Sequence, residues 1–487
     1  MSPCTTSTAT EYSSPANQKK DISAVFPSLN SVSYQDLPKR FIELQREILA
    51  DGKEELIKSS WESLLPLLKQ DVARIKILQS DSIPTFDWTK DMLVDPESGA
   101  RTLPRELADQ VRKSGSAVIK NVIPLDQARQ WKFDAEDYIK KNPSVTAFPS
   151  DKPTVYELYW SKSQLEARSH PELLAAQSSV MDLWHTTDES ITMVTSLPLS
   201  YADRLRIRHP GDKQFTLGPH IDAGSIERWE DPDYRSCYDD ILKNGNWKNY
   251  DAFDYKDRLH LNANMYKCAG GCTMFRMFQG WLAMSSTGPT EGTLKVFPLI
   301  KYSTVYVMLR PFFAPKDGNP LNIEANNWEF VGPTNVFPNT SLGAAQELNP
   351  SSHPHLELEY SMVPLPKVNP GDYVIWHCDS IHSVESEHNG LNDSSVMYIP
   401  ATPLCEVNYK YLAEQKKAFL QDGAPPPDFP NPFGPGESGF VGRVTQEVIT
   451  NTYGLKAMGL GKEEFCDENL TLAQKELVKN ANDFLFT

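Results

Sequence analysis

Residues 370–384 read PGDYVIWHCDSIHSV: a Pro-Gly-Asp turn, an apolar run, then two histidines, His377 and His382. The run is short, rich in β-branched and aromatic residues and bounded by turn formers, which predicts a buried strand. The same texture recurs outward from it. From about residue 200 onward, ADRLRIRHPG, FTLGPHIDAGSI, CTMFRMFQGWLAMS, GTLKVFP, STVYVMLRPFF and SSVMYIPATPL are β-rich runs separated by Gly, Pro, Asn and Asp. About seven strands without long intervening helices predict an antiparallel jelly roll or barrel and argue against a βαβ sheet.

Two polar stretches, 229–260 and 314–366, fall between these strands as long insertions, a kind of segment that usually forms lids or binding elements. Toward the N-terminus, Ile57, Trp61, Leu64, Leu68, Val72 and Ile75 recur at helical spacing, interrupted by Pro66, so 36–80 reads as packed helices. RELADQVRKSG predicts a helix stopped by Gly115, AVIKNVIP a strand, and DQARQWKFDAEDYIKKNP a second helix ended near Pro143. The expected class is α+β, mainly β with an α cap. Its parts are a disordered tail over 1–35, a helical cap over 36–110, a β-rich core over 111–455 and a C-terminal helical segment over 456–487.

Composition narrows the partners. A chain of 487 residues with 40% hydrophobic and 23% charged residues has ordinary globular proportions. Its net charge of −16, with no clustered Lys and Arg, excludes nucleic acid as an expected partner. No run approaches the roughly 18 apolar residues that cross a bilayer, so no membrane partner is expected. The first residues lack a basic stretch followed by an apolar one, which predicts a cytoplasmic location. The seven cysteines are odd in number and scattered, so they read as reduced thiols, and Cys268 and Cys272 as buried small hydrophobes. GxSxG, GxxxxGK[ST] and strand-linked GxGxxG patterns are absent, which removes nucleophile-elbow and nucleotide enzymes.

The histidines carry the remaining signal. His170, His185, His209, His260, His353, His355 and His388 have no ligand-like spacing and read as surface or core residues. His220 differs: in GPHIDAGS it follows a strand-like FTLG, and Asp222 at i+2 projects from the same face. An HxD triplet alone is a weak signal and needs a third ligand, which the 370–384 segment offers. Iron(II) takes two histidines and one carboxylate on one octahedral face, leaving positions for a bidentate co-substrate and dioxygen. The local set His377, Asp379 and His382 has the right residue types, but its members sit too close on one extended strand to surround an ion easily. Ser225, Glu227, Arg228 and Trp229 either face the same cavity or begin the insertion.

Together these residues resemble the cupin-fold iron(II)/2-oxoglutarate-dependent oxygenases, particularly the phytanoyl-CoA-hydroxylase-like branch. FQGWLAMSSTGPTEGTLKVFP resembles the strand, loop and Gly-x-Leu strand that follow the proximal motif there, and GSAVIKNVIP resembles the strand that opens that fold. Over roughly 36–480 the chain looks most like a family of such proteins in bacteria and fungi. The resemblance implies a double-stranded β-helix (a cupin-like jelly roll) with a helical N-terminal region. It also implies iron(II) held by His220, Asp222 and His382, with 2-oxoglutarate and dioxygen as co-substrates. His382 is preferred to His377 because the family's distal histidine lies about eleven residues after the Gly of the Gly-Asp turn. The implied reaction is hydroxylation, desaturation or oxidative cyclisation of a small molecule such as an amino acid or specialised metabolite.

One feature departs from the pattern. Many such oxygenases clamp the far carboxylate of 2-oxoglutarate with an Arg shortly after the distal histidine. Here that window, SVESEHNGLNDSSVMYIP, holds no basic residue. Arg206 and Arg208, presented beside Ser394 and Ser395, are substitutes, as is Arg276 from a middle strand; ordinary ion pairs are the alternative for all three. Two other functions stay open on these residues: a cupin-type metallohydrolase or isomerase, and a jelly-roll binding protein without turnover.

Overall fold

A computed structural model describes residues 26, 34–188, 190–267, 271–421, 423–432, 434–461 and 470–486. The apolar stripe of the N-terminal region winds into a short helix, Arg40–Leu49, and one long helix, Lys53–Leu78, with Pro66 inside it. An interior proline costs about 3 kcal/mol, and burial of Ile57, Trp61, Leu64, Leu68 and Val72 on a single face offsets it. Trp61 stacks on Phe313 with ring centroids 4.2 Å apart. The helices Arg105–Ser114 and Leu125–Lys141 form where expected. The first ends at Gly115, whose φ of 75° suits glycine and whose missing Cβ would lie 2.6 Å from Ile300 Cβ.

Two main sheets follow. The larger has eight strands in the order Thr85–Asp87, Ser116–Lys120, Tyr373–His377, Phe278–Ala283, Ser394–Tyr398, Leu205–Arg208, Val155–Tyr156, Ala147–Phe148, antiparallel except for the first pair. The smaller has five antiparallel strands in the order Gln346–Glu347, His220–Ile221, His382–Val384, Leu294–Val296, Val363–Pro364. Both edges of the smaller sheet come from the 314–366 stretch. The insertion is therefore part of the sheet that carries the histidines.

The run PGDYVIWHCDSIHSV, read as one strand, is two. Tyr373–His377 lies at the centre of the larger sheet and His382–Val384 in the smaller one. The STVYVMLRPFF run, read as a strand, is mostly the helix Ile300–Leu309. Its residues are buried almost all round, so no polar face remains to reveal a period of 3.6. Further helices, Lys162–Arg168, Pro171–Met181, Glu406–Leu420 and Leu472–Phe486, correct the expectation of a mainly β chain. The protein is mixed α/β with several sheets, and those sheets do not close into a barrel.

One apolar cluster runs from Leu37 through Ile119, Trp281 and Val374 to Cys405, so the N-terminal helices and the sheets share a core. Within the 1–35 segment, Phe26 is buried edge-on against the His220 ring, with centroids 4.8 Å apart; most of that segment, and Cys268, lie outside the described residues. No helix among the described residues is long and apolar enough to cross a membrane.

Candidate metal centre

The smaller sheet builds the centre by strand register. His382 stands directly opposite His220 across an antiparallel pair, where facing Cβ atoms come within about 5 Å. Their rings lie 4.1 Å apart, both buried. Asp222 follows His220 at i+2 and leaves the same face. The left-handed residues Ala223 and Gly224 then turn the chain away. The ligand-type atoms of His220, Asp222 and His382 all fall within 4.8 Å of one another.

Each histidine is held by its own chain. Nδ1 of His220 is 2.7 Å from the Gly218 carbonyl, and Nδ1 of His382 is 3.1 Å from the Ser380 carbonyl. A carbonyl only accepts, so both Nδ1 atoms carry the proton and both Nε2 lone pairs are left free. Those Nε2 atoms face the Asp222 carboxylate at 3.6 Å and 3.5 Å, longer than a normal hydrogen bond. Burial, followed by the neighbouring His382, pulls the His220 pKa down to about 4, with Asp222 opposing. Burial also opposes ionisation of Asp222, but His382, His220 and Arg276 outweigh it and hold the carboxyl well below its usual range. A free imidazole nitrogen on each histidine and an ionised carboxylate between them is the donor set that suits iron(II).

The centre opens into a cavity of about 180 Å³ between the two sheets. On the larger sheet, Trp376, Gln279, Tyr398 and Arg206 line it, and on the smaller one His220 and His382. Arg206 is 2% exposed, its Nε has no hydrogen-bond partner, and its guanidinium meets two hydroxyl groups, Ser394 Oγ at 3.5 Å from Nη2 and the Tyr398 side chain, with no carboxylate. Burial, and secondarily Arg208, lowers its pKa. A guanidinium buried without a carboxylate is costly unless a ligand supplies one.

The other anchor candidates divide. Arg208 is removed from the role: its Nε donates to Asp212 at 2.6 Å, and its Nη atoms donate to the carbonyls of Gly292, Glu385, Asp212 and Ser386. Ser395 is removed as well. It pairs with Ile207, one residue out of step with Arg206, so its side chain leaves the opposite face and donates to Asp393. Arg276 lines the cavity.

His377, Cys378 and Asp379 form a second buried group of ligand-type atoms, but their bonds are already made. His377 Nε2 donates to the Ala252 carbonyl at 2.8 Å, its Nδ1 accepts from the Asp379 amide at 3.0 Å, and its ring stacks on Trp184 at 4.6 Å. Asp379 is paired with buried Arg258 at 2.8 Å. His377→Ala is therefore expected to keep iron(II) binding, measured anaerobically by iron content per chain. Burial brings the His377 pKa from 6.5 to about 4, opposed by Asp379 and reinforced by Arg258. The unfolded chain binds this proton first, so stability present above pH 6.5 is lost as pH falls toward 4. The loss is on the order of 3 kcal/mol. Denaturant unfolding of His377→Gln should show an acid limb shallower than that of the wild type, and an unchanged limb would remove His377 from this role.

Two positioning residues had no clear signal in sequence. Arg228 donates to the carbonyls of Asp222 and Gly224, both at 2.6 Å, and Tyr234 donates to that of Ala223 at 3.0 Å. The start of the 229–260 insertion thus braces the loop that carries Asp222. Arg258, further along it, pins the segment between His377 and His382 through Asp379. Glu227 lines the cavity and accepts from the Ser225 amide at 2.8 Å, whereas Trp229 turns into the core and donates to the Met308 carbonyl.

Fold and site define a mixed α/β protein with a two-histidine, one-carboxylate centre between two sheets. The chain belongs to the Gig2-like family, whose profile matches residues 35–460. YbiU of Escherichia coli K12 is 34% identical over 405 residues, which is 80% of this chain and 89% of YbiU. The crystal structure of GIG2 (DUF1479), the product of GlcNAc Inducible Gene 2 of Candida albicans, is 32% identical. It has a TM-score of 0.81, covering 93% of this chain and 96% of that one. A Salmonella typhimurium LT2 protein, whose name assigns it provisionally to the oxidoreductases, is 28% identical with a TM-score of 0.73, covering 88% and 99%.

Proposed function

We propose that this protein is a non-haem iron(II), 2-oxoglutarate-dependent oxygenase of a small-molecule substrate, working in the cytoplasm. The observation that carries the reading is the convergence of two free imidazole Nε2 atoms and one ionised carboxylate on a single point in a cavity. His220, Asp222 and His382 would hold the metal, and Arg206 would bind the far carboxylate of 2-oxoglutarate, taking the place of the Arg missing after His382. The two facing sheets are read as a double-stranded β-helix, and the chain as a relative of the phytanoyl-CoA-hydroxylase-like branch.

When bound, iron(II) supplies the coupling of dioxygen reduction to decarboxylation of 2-oxoglutarate. For a hydroxylation, one C–H bond of the substrate becomes C–OH, one oxygen atom enters succinate and carbon dioxide leaves. The protein's own residues do the rest. The Gly218 and Ser380 carbonyls fix the tautomers of the two histidines, and Arg228 fixes the Asp222 loop. Trp376, Trp281 and Tyr398 line the cavity with aromatic surface. Such a site favours a charge-neutralising co-substrate over bulk solvent.

The test is anaerobic addition of iron(II) and then 2-oxoglutarate to the purified chain. A weak visible charge-transfer band that saturates with 2-oxoglutarate is the expected result. Stoichiometric iron binding without such a band would sink the reading.

A further inference from the structure

A second cavity of about 320 Å³ adjoins the first, and Arg276 lines both, together with Gln279 and Asn264. Among the described residues its guanidinium makes no hydrogen bond and no ion pair; its recorded contact is the face of Tyr201, 5.8 Å away. The carboxylates that act on it, Asp222, Asp203 and Asp428, all have other commitments, the last accepting from the Thr273 amide and hydroxyl and from Tyr201. Asp222 faces the two histidines, and Asp203 accepts from the amide and Nε of Arg204. Five N–H donors on a planar fork are thus left to the cavities.

We propose, resting on the oxygenase reading, that Arg276 is the substrate's anchor and that the substrate is a small monocarboxylate seated in the second cavity. The charge and the geometry both favour this class. A carboxylate matches the guanidinium fork in a bidentate pair, whereas a phosphate dianion would call for a second cation, and Arg258, which also lines this cavity, is already paired with Asp379. The other cavity arginine without a carboxylate partner, Arg206, is taken by the co-substrate. Arg276 precedes the strand Phe278–Ala283, whose Gln279 borders both cavities, so a carboxylate held by Arg276 sits where the second cavity meets the one that holds the triad. The apolar lining from Met274, Phe275 and Leu261 suits an uncharged remainder.

The experiment is calorimetric titration of the anaerobic full chain, saturated with iron(II) and 2-oxoglutarate, using propionate and benzoate, their neutral amides, and phenyl phosphate. At least one carboxylate should bind, its amide at least about tenfold more weakly, and phenyl phosphate no more tightly. Arg276→Met should weaken the carboxylate at least about tenfold, and Arg276→Lys should restore part of it. The 2-oxoglutarate midpoint of the visible band should not move in either variant. Equal binding of acid and amide, tighter binding of phenyl phosphate, no carboxylate binding, or full binding by Arg276→Met each overturns the proposal. A 2-oxoglutarate midpoint that moves in Arg276→Met and not in Arg206→Met would make Arg276 the co-substrate anchor, overturning the proposal and sparing the oxygenase. Arg276-dependent carboxylate binding by a chain that gives no band would do the reverse.

Discussion

Asp222→Ala and His220→Ala are each expected to lose iron(II) binding and, with it, all 2-oxoglutarate consumption. Loss of a partner that merely orients a ligand costs a metal site about 10–100-fold in affinity, and removing one of three ligands costs more. Asp222 is also the one carboxylate among the three ligands, so its alanine variant leaves two imidazoles and nearby Arg276 to face a dication. Because His382, His220 and Arg276 hold the Asp222 carboxylate ionised in the metal-free fold, its removal also costs that fold some stability. Iron(II) at about 100 times its Kd stabilises a single-site protein by about 2.7 kcal/mol. The wild-type melting temperature should therefore rise with iron(II), while those of the variants should not respond to it. His382→Ala should behave identically. If His377→Ala lost iron to the same degree, His382 could not be the distal ligand alone.

Arg206→Met carries the second-largest expected effect, on the co-substrate and not on the metal. Truncating one side of a buried, hydrogen-bonded charge pair costs about 2–5 kcal/mol. That corresponds to a rise in the KM for 2-oxoglutarate of between about 30-fold and a few thousand-fold. Iron content should be unchanged. Because Arg206 has no carboxylate partner and an unsatisfied Nε, methionine in its place should leave the metal-free chain as stable as before or more so. Arg208→Met supplies the contrast: it breaks bonds to Asp212 and to the carbonyls of Gly292, Glu385 and Ser386, so it should lower the melting temperature and spare KM. A KM shift confined to Arg208→Met would reverse the assignment.

Much of this centre could be read in the chain because its parts are local. The i+2 spacing of His220 and Asp222 fixes a shared face wherever the backbone is extended. Gly115 stops its helix and Gly371 makes the tight turn before Tyr373, where a Cβ would meet the Ile123 carbonyl at 2.0 Å. The amphipathic stripe of Lys53–Leu78 identified that helix despite Pro66, and the stop signals Gly115 and Pro143 identified Arg105–Ser114 and Leu125–Lys141. The misreadings have a common cause. Ile300–Leu309 is buried on all sides and so carries no period, and the 370–384 run is buried straight through the turn at Cys378 and Asp379 where the chain leaves one sheet for the other.

By itself the sequence determined which side chains share a face, where helices stop and which residue types can bind a metal, since these follow from neighbours within a few positions. Only the tertiary structure decided that His382 stands opposite His220 while His377 is bonded away in the core. It likewise decided that Arg206 is left without a carboxylate while Arg208 is saturated, and that Arg228 and, from the 229–260 insertion, Tyr234 brace the Asp222 loop. The physical reason is that pairing register and hydrogen-bond saturation depend on which distant strands and loops meet, and local pattern does not encode that.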